Sequence, residues 1–277
     1  MVDYESYVRP EPERLTVTAT AEAIARFCWA AGDTHPEHFA PAGATAPPTF
    51  AFALAMAGSA FPFPTEGLIH AEQAFTFDKP LRAGQRLTVE RALTRARRRG
   101  DGDAAMWLLT WEAEALGADG GRVFSLTSRL IARQGVAAAA PAPAARQGGP
   151  DPAGLPLRGP AAVLDRARIA AYAEASGDHN PIHLDEETAR RYGLSGIIAH
   201  GMLSMALVAS LAEDWARSDD RPLAALTARF VAPVLAGERV LAAGEPQGDL
   251  EATLGLWSEG GEEKVRATAR RDPAAAA

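Results

Sequence analysis

Apolar and polar positions along the chain fall into two successive blocks with the same order of periods. A helical period opens each block, over about 20–31 and again over about 165–175. Thr20 and Asp165 stand where an N-cap side chain accepts a backbone N–H. In the second block a short helix is expected near 185–192. Asp185, Glu186 and Glu187 lie in its first turn, Arg190 and Arg191 in its last, and Gly193 just beyond. That charge order suits the helix dipole, and the glycine suits a C-terminal cap. A long apolar segment follows, about 49–60 in the first block and 201–216 in the second. Met202, Met205, Ala206, Ala209 and Leu211 leave the second copy little polar face, which predicts a buried helix. The remainder of each block alternates as strands: QAFTF, RLTVERALTRA, AAMWLLTWEAEAL and RVFSLTSRLIA, then AALTARFV, RVLAAGEP, LEATLGLWSE and KVRATARR. Gly-rich turns at 100–103, 118–121 and 259–263 separate several of them as antiparallel hairpins. An apolar helix followed by an antiparallel sheet, twice over, is an α+β pattern, and a sheet wrapped round the helix is one way to bury it.

The two blocks are copies. AGDTHPEHF (31–39) and SGDHNPIHL (176–184) share G-D-x-x-P-x-H at an offset of 145 residues. FDKPLRAGQRL (77–87) and FVAPVLAGERV (230–240) share F-x-x-P-x-x-A-G-x-R at an offset of 153. Two landmarks in the same order mark an internal repeat whose first copy is about eight residues shorter between them. The Ala/Pro/Gly-rich stretch 134–160 separates the copies and cannot build a core. The expected organisation is a first domain over 1–135, a linker over 136–157 and a second domain over 158–277.

With 277 residues the chain has room for two ordinary domains. Hydrophobic residues at 47% and charged residues at 23% exclude a wholly disordered chain. A net charge of −7 disfavours broad nucleic-acid binding, which needs a basic face. Cys28 is the one cysteine, so no intrachain disulfide forms and an oxidising compartment is not indicated. The N-terminus has no signal-peptide pattern, and no stretch is apolar enough to span a membrane. The expectation is a soluble cytoplasmic protein with neither a nucleic-acid nor a membrane partner.

Candidate chemistry gathers in the second copy. In SGDHNPIH, Asp178 and His183 stand five apart across a turn bent at Gly177 and stiffened by Pro181. A carboxylate and an imidazole so placed can share one water, one taking a proton and the other giving one. Asn180 can hold the loop through its side chain. Seventeen residues after His183, His200 and Gly201 open the apolar helix, whose first N–H groups lack intrahelical partners. A glycine there lets a ligand oxygen approach them, as in an oxyanion hole. Acid–base groups and an oxyanion hole without a nucleophilic Ser or Cys suit addition of water to a polarised double bond.

These residues carry a resemblance. S-G-D-H-N-P-I-H followed at this distance by A-H-G-M-L resembles the signature of the MaoC-like hydratases, the R-specific enoyl-CoA hydratases and 3R-hydroxyacyl-thioester dehydratases of hot-dog fold. It covers 160–245. The first copy resembles, more loosely, the degenerate N-terminal dehydratase domain of two-hot-dog members, through APPTF (46–50) and HAEQAFTFDKPLRAGQ (70–85). The resemblance implies two hot-dog domains in tandem, their sheets paired. It implies Asp178 and His183 as water-activating and proton-shuttling groups, Asn180 as loop holder and the Gly201 N–H as donor to the thioester oxygen. Substrates would be acyl-CoA or acyl carrier protein thioesters; no metal, flavin or nicotinamide is implied. A homodimer of the two-domain chain is left open. Many relatives carry a helix serine near the site; here Ala209 stands there with Ser210 beside it.

Other readings of the same residues compete. The loop could instead be only a capped surface turn, which the His200-Gly201 spacing disfavours, or His179, His183, Asp178 and His200 could be metal ligands, which the absence of a familiar zinc spacing disfavours. His200 reads better as structural than catalytic. Asp33 and His38 repeat the dyad spacing, as a second active site or as a vestige of duplication. The vestige is favoured: His35 replaces the Asn180 counterpart, Glu37 the apolar Ile182, and Thr49, after Pro47 and Pro48, falls where Gly201 does. Phe50, Phe52, Phe61 and Phe63 suit either an acyl pocket or core. Arg95, Arg97, Arg98 and Arg99 read as a solvated hairpin tip ahead of CoA or carrier-protein contacts. A hot-dog thioesterase and a non-catalytic thioester-binding subunit are the rival functions.

Overall fold

The computed structural model describes residues 2–40, 43–58, 61–101, 105–133, 151–217 and 222–273. Residues 134–150, which include 136–150 of the expected linker, lie outside them. The first half runs strand, helix, tight 3-10 turn, helix, then four strands, and the second repeats this order with one further short helix ahead of its long one. The first half holds β1 (Glu13–Thr18), α1 (Ala21–Ala31), α2 (Phe50–Ala55), β2 (Leu68–Phe77), β3 (Arg86–Arg99), β4 (Met106–Leu116) and β5 (Arg122–Arg133). The second holds β6 (Leu157–Val163), α3 (Arg166–Ser176), α4 (Glu186–Arg191), α5 (Gly201–Arg217), β7 (Leu223–Phe230), β8 (Arg239–Gln247), β9 (Glu251–Ser258) and β10 (Glu263–Arg271). All neighbours pair antiparallel in one ten-stranded sheet, ordered β1-β3-β4-β5-β2-β7-β10-β9-β8-β6. The halves meet where β2 pairs β7, from Glu72 opposite Arg229 to Thr76 opposite Ala225.

The helix caps fall where the side chains place them. Thr20 accepts from Ala23 N, Asp165 from Arg168 N and Asp185 from Thr188 N. Helix α5 is buried on nearly every side, with Met202, Leu203, Met205, Val208, Ala209 and Ala212 in the core. It packs on β6, β7, β8, β9 and β10, the sheet curving round it. Arg271 closes its far end, donating to Trp215 O at 3.3 Å with its guanidinium over the Trp215 ring. None of the described helices is long and apolar enough to cross a membrane.

Three expectations need correction. The first-half apolar helix is six residues, Phe50–Ala55, not a run over 49–60; buried Arg91 holds its end, donating to Ala55 O and Ala57 O. Strand β1 was not expected from sequence at all. Strand β6 lies largely inside the segment read as separating the copies. Both are outer strands of the sheet. β1 is mostly solvent-facing, and β6 carries Gly159 and Pro160 at a register shift between Arg158 and Ala161. Proline in a sheet is confined to such edges and irregularities, so composition argues against strand there.

Candidate active site

The loop after α3 is tied at each end. Gly177 takes the left-handed conformation, φ +77°, that ends the helix. Asn180 accepts from Ile182 N and donates to Leu68 O at 3.0 Å, across the seam between the halves. His200 Nε2 donates to the Asp178 carbonyl at 3.0 Å. The short turn Pro181–His183 then aims His183 inward, and its Nδ1–H donates to Ile198 O at 2.9 Å. Because a carbonyl only accepts, this bond fixes the tautomer and leaves Nε2 with the free lone pair.

Asp178, His183 and His200 therefore converge, one side-chain atom of each within 4.8 Å of the others. The His183 and His200 rings are close and tilted by 32°, 3.9 Å between centroids. Burial keeps the His183 imidazole below its ordinary value although Asp178 pulls it up. Burial, with His183 close by, pushes His200 down to about 3. Burial pushes the Asp178 carboxyl up, but His183, His200 and the Asn180 N–H outweigh it and hold it below the usual carboxylate range. Near neutral pH these directions favour one carboxylate beside two uncharged imidazoles. His179, expected as a possible fourth ligand in a metal reading, is instead exposed and 3.7 Å from Glu174.

Asp178 and His183 open onto a cavity of about 560 Å³ between the halves. The second half supplies Asp178, Asn180, His183, Gly201, Ser204 and Phe230; the first supplies Phe52, Phe61, Leu68, Ile69, His70 and Leu130. The aromatic cluster thus divides. Phe52 and Phe61 line the cavity and meet over Trp111, whereas Phe50 packs on Phe27 and Phe63 on Tyr4. Arg95, Arg97, Arg98 and Arg99 are exposed at the outer end of β3 and do not line it.

Several residues differ from the sequence expectation. Ser204, buried one turn into α5, lines the cavity; Ser210 does not. Counting i+3 from Gly201 along the helix would have found Ser204. His70 was missed because it comes from the other half through the β2–β7 pairing. It is bonded to Gln73 Oε1 at 3.0 Å, which also accepts from Ser128 at 2.6 Å, and burial pushes it down to about 4. Gly201 serves close packing: a β-carbon there would stand 3.2 Å from His70 Cβ and from the Phe230 ring.

In the first half, Asp33 and His38 are differently arranged. His38 Nδ1 bonds Asp33 Oδ2 directly at 3.0 Å, where His183 bonds a backbone carbonyl instead. Glu213, from the far end of α5, lies 3.5 Å from His38 Nε2. Burial lowers His38, but Asp33, Cys28 and Glu213 outweigh it and push it up to about 11. The bridges Thr45–Arg82 and Ile198–Leu235 are equivalent, as are the bonds Ala46 N to Leu81 O and Ala199 N to Val234 O. That register puts Pro47 opposite His200 and Pro48 opposite Gly201. The counterpart of Gly201 is therefore Pro48, not Thr49, and it has no N–H to donate.

A family model described as MaoC like domain matches residues 151–253, and one described as FAS1-like, dehydratase domain region, matches 8–126. Over 78 residues the chain is 45% identical to 3-hydroxyacyl-thioester dehydratase X of Mycobacterium tuberculosis, 27% of this chain and 26% of that protein. The aligned stretch is thus about a quarter of that relative's length. The solved structure of HtdX from M. tuberculosis is similar at a TM-score of 0.66 and 25% identity, over 94% of this chain and 100% of that one. A MaoC-like dehydratase from Phytophthora capsici has the same fold at a TM-score of 0.75 and 19% identity, over 98% and 99%.

Proposed function

We infer that this chain, which belongs to the MaoC-like dehydratases in their double hot-dog form, catalyses reversible addition of water to a trans-2-enoyl thioester, giving the 3R-hydroxyacyl thioester. The observation that carries this reading is the convergence of Asp178 and His183 at the wall of a largely apolar cavity, beside the start of α5.

The chemistry follows from the hydrogen bonds. His183 Nδ1 is committed to Ile198 O, so Nε2 is the atom able to take a proton. Asp178 orients a water toward it and stabilises the imidazolium that forms. As the water oxygen bonds to Cβ, the Cα=Cβ electron pair moves toward the thioester and its oxygen gains charge. The free N–H groups at the Gly201 end of α5 are the donors for that oxygen. The proton held by His183 then returns to Cα on the same face, so none is consumed. The acyl chain lies along Phe52, Phe61 and Leu130, away from bulk water.

Incubating the purified chain with crotonyl-CoA and resolving the product enantiomers tests this. Formation of 3R-hydroxybutyryl-CoA is expected. Free CoA released from a saturated acyl-CoA would point to a thioesterase, and binding without turnover to a carrier subunit. Longer, branched and carrier-protein-linked enoyl thioesters then define the substrate.

A further inference from the structure

The hydration chemistry leaves one buried polar cluster unused. Asp33, His35 and His38 of the first-half loop meet Glu213 of α5, one ligand-type atom of each within 4.8 Å of the others. The side chains are shielded: His38 is 1% exposed, Asp33 6%, His35 12% and Glu213 15%.

Asp33 and Glu213 pair with His35 and His38 by charge, and a bound ion would displace the imidazole protons, but hydrogen bonding alone does not complete this cluster. Among the described residues, His38 Nε2, His35 Nδ1 and Glu213 Oε2 are buried and make no hydrogen bond. Buried polar atoms are rarely left so. They face one another: His38 Nε2 is 3.5 Å from Glu213 Oε1, and His35 Nδ1 is 4.0 Å from Glu213 Oε2 and 3.0 Å from Asp33 Oδ1. Donors bonded at about 2.0–2.2 Å to one tetrahedral ion stand about 3.4 Å apart, so a single ion spans these atoms with little movement. The opposite ring nitrogens are already held by carboxylates, His38 Nδ1 by Asp33 Oδ2 at 3.0 Å and His35 Nε2 by Asp214 Oδ1 at 2.9 Å. A carboxylate on the far nitrogen is what orients histidine toward a metal.

We propose that Asp33, His35, His38 and Glu213 bind one divalent transition-metal ion of the zinc class. Two imidazoles in the donor set favour such an ion over magnesium or calcium, which take oxygen ligands. Glu37 and Asp214 add negative charge around it, and Arg217, paired to Glu37 and 3.8 Å from Glu213, is the nearby cation. The ion would clasp the end of the second-half helix to the first-half loop. Duplication would thus have left one copy of the loop for substrate and turned the other to metal.

The test uses the full chain, stripped with a chelator and dialysed. Titration with zinc chloride by calorimetry is expected to show one tight equivalent, and cobalt(II) to give visible absorption bands. Zinc should raise the melting temperature. Glu213→Gln and His38→Gln should each weaken binding by more than the roughly 10–100-fold typical of an outer partner, and Asp214→Asn by about that range. Asp178→Asn should bind zinc as wild type does, which separates this cluster from the one at the cavity. Circular dichroism checks each fold; should Glu213→Gln not fold, Asp214→Asn decides. Less than half an equivalent bound by the folded wild type would overturn the proposal. So would binding unaffected by Glu213→Gln and Asp214→Asn, or binding lost in Asp178→Asn.

Discussion

The Asn180 side chain donates to the Leu68 carbonyl at 3.0 Å, so the loop bearing the dyad is anchored to a strand of the other half. Asn180 is buried, and its removal would strand a carbonyl at the seam. Losing a buried partner costs about 1–3 kcal/mol. Asn180→Ala should therefore lower the melting temperature and also lower kcat, because Asp178 sits two residues away. Calorimetric melting beside steady-state hydration kinetics measures both. A variant less stable but with unchanged kcat would show that the loop keeps its shape without the anchor.

The same seam predicts that the second half alone will not work. A fragment of residues 151–277 lacks Leu68, His70, Phe52 and Phe61, and leaves β7 as an open edge. Unpaired edges and exposed apolar faces drive association. Sedimentation should show self-association or aggregation, with hydration largely lost. A monomeric, fully active fragment would contradict the shared cavity.

Stability should fall on the acid side in a defined window. His70 and His200 are pushed by burial to about 4 and about 3. An unfolded histidine titrates near 6.5, so between these values the unfolded chain binds protons that the folded chain refuses. Their contribution is full above about pH 6.5 and is lost as pH falls, by at most about 1.4 kcal/mol per pH unit for each histidine. Asp178, depressed rather than raised, adds its loss only below the ordinary carboxylate range. Melting temperatures from pH 7 to 4.5 should decline less steeply in His70→Gln than in wild type. Parallel curves would mean that His70 is not held neutral.

Helix α5 offers a comparison between two serines. Ser204 lines the cavity and Ser210 does not. Ser204→Ala should change KM or kcat for enoyl thioesters by several-fold, and Ser210→Ala should leave both within error. Gly201→Ala is a less clean probe, since its β-carbon would press on His70 and Phe230. It should lose stability and activity together.

Local features were legible in the sequence. Thr20 and Asp165 announced their helices because an N-cap bond spans only three residues, and the paired A-G-x-R turns gave the repeat. The Asp178, Asn180 and His183 loop was legible for the same reason. Features made by distant pairing were not. His70 reaches the cavity only because β2 joins β7, and Glu213 reaches His38 only because α5 runs the length of its sheet. Pro48, not Thr49, answers to Gly201 because the bridge at Thr45 sets the register, which counting from the helix start misplaces by one.

The contrast between the two dyads is measured most directly as kcat/KM for crotonyl-CoA hydration in folded variants. Asp178→Asn and His183→Gln should each fall by about 10²–10⁴-fold, the usual worth of an acid–base group. Asp33→Asn and His38→Gln should fall far less, their main effect being on melting temperature. Their imidazole is closed against its own carboxylate, and Pro47 and Pro48 stand where the thioester oxygen would need a donor. Near-wild-type rates in both Asp178→Asn and His183→Gln, or equal losses from the first-half pair, would contradict the assignment of the reaction to the second-half loop.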